Sequence, residues 1–254
     1  MTADGRASWL NDRRAYRAIR PAPASALAPD QAGTWPASVP AVRHILENGL
    51  DLPKGITLLV GENGSGKSTL VELIAEACGL NPMGGSRNAS LFRTREGQDG
   101  PGLHLTVERG LTRPAWSFFL RADTMHSLYG YLEDVWGRSG EGRLHHLSHG
   151  EGFLEVLRTR VREPGFYLMD EPDAPLSFTS TLGLAALLHD LAEEGAQVIV
   201  ATHSPILAAL PGATLLELGE WGIRPSGWED LELVASWRQF MASPQSFLRH
   251  MFTS

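Results

Sequence analysis

The sequence predicts an α/β fold, with a mostly parallel sheet covered on both faces and a small antiparallel part. Three observations carry this expectation. Short β-rich apolar runs recur, ITLLV at 56–60, FYLM at 166–169 and QVIVA at 197–201, and such runs suit strands buried on both faces. Helically spaced segments stand between them, the alternation that builds parallel sheets. Two further runs, 103–108 and 115–121, are joined by RGLTRP and predict an antiparallel hairpin.

The elements follow in chain order. Residues 1–20 hold five arginines against two aspartates, a local charge of +3, and read as a solvated tail ending in an edge strand near Ala15–Arg20. Residues 21–40 carry five prolines among small residues and predict an extended linker or surface wrap. Residues 1–34 are therefore set apart as an N-terminal extension, and 35–254 as one domain. Leu70, Leu73, Ile74 and Ala77 fall at helical spacing within 66–78, with Gly79 as a stop. Segments 124–136, 150–161 and 182–192 also have helical spacing. Ser204 is placed to cap a helix whose first residue is Pro205.

Composition narrows the function classes. The 254 residues suffice for one large core, and the formal net charge is −7. That acidic balance weighs against nucleic acid as a partner, short of a local basic patch. A single cysteine, Cys78, forbids a disulfide framework within the chain and fits a reducing, cytoplasmic setting. No run of 18 apolar residues is present, so no transmembrane segment is expected.

The strongest chemical signal follows the first strand. Residues 61–68 read GENGSGKS, a match to G-x-x-x-x-G-K-[ST] with a buried strand before it and a helix after it. Gly61, Gly64 and Gly66 let the backbone take conformations closed to other residues. Successive amides, from Gly61 through Glu62, Asn63, Gly64, Ser65, Gly66, Lys67 and Ser68 to Thr69, then form an anion nest at a helix N-terminus. Lys67 supplies a point charge to the β- and γ-phosphates of ATP, and the Ser68 hydroxyl is a hard oxygen ligand for Mg²⁺. A glycine-rich turn with no ligand would not require a lysine and a hydroxyl at these offsets.

Two other strands end in matching chemistry. FYLMDE closes with Asp170 and Glu171 at a carboxyl edge, where ligands of open α/β sheets collect. Asp170 fits a role as Mg²⁺ ligand through the metal's water shell, and Glu171 that of a general base toward water. QVIVATH delivers His203 to the same edge, in reach of the γ-phosphate or the attacking water.

Residues 147–152 read LSHGEG, 22 residues from Ser148 to Asp170, and His203 lies 33 beyond Asp170. Ser148-His149-Gly150-Glu151 is also a capping box before a helix. In order and spacing these motifs resemble the ATP-binding-cassette (ABC) superfamily, a branch of the P-loop NTPase fold. SHGEGF (148–153), DEPDAPLS (170–177) and ATHSPILAALPGA (201–213) resemble more closely a group of small stand-alone bacterial ABC-type ATPases, AAA-family proteins related to the SMC and RecF types. The resemblance spans residues 35–254. It implies ATP sandwiched between two head-to-tail copies. Ser148, His149, Gly150 and Glu151 would face the γ-phosphate held by the other copy, and Asp173 would sit in the D-loop. The Q-loop glutamine is missing, leaving Asp123 as its substitute; Gly152 replaces a serine, and Pro175 lies in the D-loop. Trp35 is either the aromatic for the adenine or an exposed residue beside Pro36. His145, His146 and His149 lack a convincing fourth ligand, so no metal beyond Mg²⁺ is expected.

Four functions compete. The first is a homodimeric ATPase whose closing and opening drives or regulates a protein partner. The second is the nucleotide-binding subunit of an ABC transporter, against which stand SHGE in place of SGGQ and the missing glutamine. The third is a DNA-repair or chromosome-associated ATPase, for which the 78 residues between Ser68 and Leu147 leave no room for a long coiled-coil arm. The fourth is a low-turnover ATP sensor, against which stand Glu171 and His203.

Overall fold

The computed structural model describes residues 14–21, 33–82, 84–86, 105–111, 113–121, 149–161 and 164–252. The chain enters as β1 (Tyr16–Pro21) and continues through α1 (Pro40–Asn48), β2 (Leu50–Asp51) and β3 (Gly55–Val60) into α2 (Lys67–Ala77). The middle of the chain contributes β4 (Gly85–Ser86), β5 (Leu105–Arg109), β6 (Ser117–Arg121) and α3 (His149–Arg160). Then come β7 (Phe166–Asp170), α4 (Phe178–Glu193), β8 (Gln197–Thr202) and α5 (Pro205–Ala208). A hairpin of β9 (Thr214–Gly219) and β10 (Gly222–Pro225) leads to two C-terminal helices, α6 (Glu232–Ala242) and α7 (Pro244–Phe252). The expected helix over 124–136 lies outside the described residues.

A seven-stranded sheet of order β10-β9-β3-β8-β7-β6-β4 forms the centre. Its inner strands are parallel, and β10 and β4 are antiparallel edges. The two-residue period of the strands splits the core into two layers. Leu58, Val60, Met169, Val198 and Val200 meet α3 and α4 through Phe153, Leu157, Leu184 and Leu188. Leu59, Leu168, Ile199 and Ala201 face the other way, toward Leu70 and Ile74 of α2, Ala41 and Ile45 of α1, and Tyr16 of β1. Apolar runs without alternation are what a sheet covered on both faces requires.

Two expectations are corrected. The runs predicted as one hairpin are separated: β5 pairs antiparallel with β1, while β6 pairs parallel with β7. The two runs therefore belong to different sheets. Each run buries its apolar side on a different partner, and turn chemistry alone does not choose that partner. The strand predicted as an edge, β1, is the middle strand of a three-stranded antiparallel sheet of order β2-β1-β5. Its Tyr16 is fully buried, donates through its hydroxyl to the Cys78 carbonyl at 3.0 Å, and meets Phe166 edge-on at 4.6 Å.

Buried Gln197, at the first position of β8, ties the two sheets together. Its Oε1 accepts from the Tyr16 amide at 3.1 Å, and its Nε2 donates to the carbonyls of Tyr16 (2.8 Å), Pro53 (3.1 Å) and Leu52 (3.3 Å). Of the proline-rich stretch, the described part from residue 33 runs into α1 at Pro40, a residue already shaped for a first helical turn. Among the described residues no helix is long and apolar enough to cross a membrane.

Candidate functional site

The site is built where β3, β8 and β7 end side by side. Residues 61–66 turn from β3 into α2, and two glycines there take left-handed backbone, Gly64 at φ 84° and Gly66 at φ 91°. Gly66 is also pressed from outside, since a Cβ on it would lie 2.3 Å from Val39 Cγ1. Val39 belongs to the segment just before α1, which also carries exposed Trp35. That segment therefore covers one side of the turn.

Lys67 opens α2 and is buried. Its ammonium donates to the carbonyls of Gly61 at 2.9 Å and Glu62 at 3.0 Å, so the side chain folds back across the loop. Burial pulls the Lys67 pKa below the ordinary lysine range, and the charges of Glu171, Asp170 and Asp173 push it back up. A buried ammonium beside a glycine-rich turn at a helix N-terminus is a receptor for an anion.

Asp170 ends β7 and is buried; it accepts a hydrogen bond from the Ser68 hydroxyl at 3.2 Å. Burial raises its pKa, the bond from Ser68 and the charge of Arg121 lower it, and Glu171 and Glu72 raise it further. Asp170 and Ser68 thus present hard oxygens at one point, which fits Mg²⁺. Among the described residues no group of three or more His, Cys, Asp or Glu side chains could hold a metal. A cation here would complete its shell with phosphate oxygens and water, as Mg²⁺ does in phosphate sites.

Glu171 takes φ 50°, and it alone among the described non-glycine residues has a positive φ. Its amide donates to the Ala201 carbonyl at 2.9 Å, which fixes the turn, and its Oε1 lies 2.7 Å from His203 Nε2. Left-handed backbone costs a non-glycine residue on the order of 1 kcal/mol. Here it swings the carboxylate onto the end of β8. Next to it, Asp173 accepts from the Thr202 hydroxyl at 2.6 Å, and the same oxygen of Thr202 accepts from the Ser204 amide at 2.9 Å. Burial raises the Asp173 pKa, and the bond from Thr202 opposes the rise. Ser204 caps α5 through its hydroxyl, which accepts from the Leu207 amide at 3.3 Å.

The predicted residues of the loop and of the β7 and β8 ends therefore stand together. Of the other candidates, Asp123 and Ser148 lie outside the described residues, and His149, Gly150 and Glu151 open α3. The site also contains a pair that sequence reasoning missed. Arg121, the last residue of β6, forms an ion pair with Glu72 of α2 at 2.7 Å. A charged residue closing an apolar strand run (FFLR) was the available signal.

Comparison with known proteins reaches the same place. A family model described as an AAA domain matches residues 43–108, which include the phosphate loop and α2. The cytochrome c biogenesis ATP-binding export protein CcmA of Rhodospirillum rubrum is 30% identical over 190 residues, covering 68% of this chain and 78% of that protein. The chain belongs to the ABC family of ATP-binding proteins. ATP is accordingly the nucleotide of the P-loop, and the α/β sandwich is the ABC-type variant of the P-loop fold. The aliphatic sulfonates import ATP-binding protein SsuB of Mycobacterium avium is 30% identical over 63% of this chain and 66% of its own length. ABC transporter G family member 22 of Arabidopsis thaliana is also 30% identical, over 60% of this chain. The chain spans only 23% of that plant ABC protein and about two thirds of SsuB. These relatives carry the names of transporter ATP-binding proteins, the second of the four functions rather than the first.

Proposed function

We propose that this chain is a cytoplasmic ABC subunit that binds Mg²⁺·ATP and hydrolyses it to ADP and phosphate to power a transport partner in a membrane. The observation that carries the reading is the convergence of Lys67, the Ser68–Asp170 pair and the Glu171–His203 pair on adjacent strand ends. The amides of 61–69 and the Lys67 ammonium neutralise the phosphates and the charge that spreads over the γ-phosphoryl oxygens during transfer. Ser68 and Asp170 would hold Mg²⁺, which would supply further positive charge to offset that of the phosphates. Glu171 orients a water and takes its proton as the water oxygen bonds to the γ-phosphorus and the bond to the β-phosphate oxygen breaks. His203 holds that carboxylate and meets the γ-phosphate. Trp35, on the segment whose Val39 lies against Gly66, is the aromatic for the adenine.

The signature segment Ser148–Glu151, whose last three residues open α3, acts in trans on ATP held by a second head-to-tail copy. A helix N-terminus carries roughly half a positive charge and suits that position. Asp173 positions the D-loop between the copies, and Asp123 would stand in for the Q-loop glutamine in coupling to the partner. A second reading, a free-standing homodimer acting on a protein partner, is favoured by Arg121 at the end of β6, where the resemblance leads one to look for the coupling glutamine.

Steady-state turnover of purified wild-type chain and Glu171→Gln tests the activity. The variant is expected to keep ATP, dimerise persistently, and lose turnover by about 10²–10⁴-fold. An unchanged rate would remove Glu171 as the base. The trapped variant, added back to native membranes and to soluble extract, then separates the two readings. ATP-dependent retention on membranes supports a transporter subunit, and retention only by a soluble protein supports the free-standing enzyme.

A further inference from the structure

The geometry points to Arg121 as a positioning residue for the metal-binding edge of the nucleotide site. The inference rests on the Mg²⁺·ATP reading of that site. Arg121 and Asp170 are direct partners in the parallel ladder of β6 and β7, so their side chains leave the sheet on the same face. That face is covered by α2, which makes two bonds one turn apart. Ser68 bonds Asp170 at 3.2 Å, and four residues on, Glu72 pairs with Arg121 at 2.7 Å. The same guanidinium nitrogen donates to the Pro82 carbonyl at 2.8 Å, in the segment that follows α2. Arg121 is thus held by a helix carboxylate and a loop carbonyl, with its side chain only 16% exposed.

Charge explains why an arginine stands there. Asp170, Glu171, Asp173 and Glu72 gather at this end of the sheet, and Lys67 is folded onto its own loop. Without Arg121, Glu72 would face Asp170 as an unpaired neighbouring carboxylate along α2. Repulsion between them would open the Ser68–Asp170 spacing that the cation needs. With Arg121, Glu72 is neutralised, the helix is tied to β6, and Asp170 remains available as an anionic ligand. Residues that orient metal ligands in this way typically cost roughly 10–100-fold in metal affinity when removed.

The test uses the full chain as wild type, Arg121→Gln, Arg121→Lys and Glu72→Gln. ATP affinity is measured in excess chelator and across a Mg²⁺ series, with thermal melting in parallel. Arg121→Gln is expected to raise the Mg²⁺ concentration for half-maximal tightening of ATP binding by about tenfold, while chelator-phase ATP affinity stays within about twofold. Arg121→Lys restores the charge and recovers most of the loss. Glu72→Gln, which keeps the site's fold if Arg121→Gln does not, shifts the Mg²⁺ requirement in the same direction by a smaller factor. A purely structural clamp would lower the melting temperature and both affinities together, with an unchanged Mg²⁺ midpoint, and that result overturns the inference. Wild-type chain that binds no ATP overturns instead the reading on which it rests.

Discussion

At the scale of single residues, the site is held in a state that costs stability without its ligand. Asp170 is buried and Asp173 half-buried, and desolvation sets each carboxyl pKa above its ordinary value. An acid whose folded pKa is raised takes up its proton at higher pH in the folded chain than in the unfolded one. Stability of the nucleotide-free protein therefore falls as pH rises from the ordinary carboxylate value to the raised one, and is flat above it. Removing the charge should relieve this cost. Asp170→Asn is expected to raise the nucleotide-free melting temperature at neutral pH by about 2–4 °C, the equivalent of ~1 kcal/mol in a chain of this size. The same variant should lose the Mg²⁺-dependent gain in ATP affinity. A melting temperature at or below wild type would contradict the assignment. Asp170 and His203 were legible because each polar residue ends or follows a buried run, and Lys67 because it stands at a fixed offset in a glycine-rich motif. The Glu72–Arg121 pair was not, because its partners lie on different elements and a charged residue at the end of an apolar run does not say which residue it meets.

At the scale of elements, local chemistry predicted what each segment is better than what it touches. The runs at 56–60, 166–169 and 197–201 are strands, and 67–77 is a helix, because burial on both faces and helical spacing leave direct marks on the sequence. The supposed hairpin failed for the opposite reason. Both of its runs are strands, but the pairing of β5 with β1 and of β6 with β7 is decided by contacts more than 50 residues away in the case of β1. The Gln197 amide is the polar link that holds β1 onto the main sheet, at the end of β8 opposite His203. Gln197→Leu would leave the Tyr16 amide and three carbonyls without this partner in the interior. A loss of about 2–4 kcal/mol is expected, read as a fall in melting temperature of roughly 5–15 °C. ATP affinity below the transition should be unchanged. A stable Gln197→Leu protein would show that β1 is held by its apolar contacts alone.

At the scale of the whole molecule, the strand order explains why distant motifs cooperate. β8 lies between β3 and β7, so the phosphate loop, His203 and the Asp170–Glu171 pair reach one edge although they are far apart in sequence. That convergence follows from membership of the ABC family, and motif order and spacing already implied it. The partner did not follow, because the motifs describe the nucleotide and the relatives point to transport. The central claim is that one ATP is gripped by this edge. Isothermal titration of ATP with Mg²⁺ into wild-type chain and Lys67→Ala tests it most directly. One ATP per chain, with affinity reduced at least tenfold in Lys67→Ala, is the predicted result; no binding to the wild type, or equal binding to both, would contradict it.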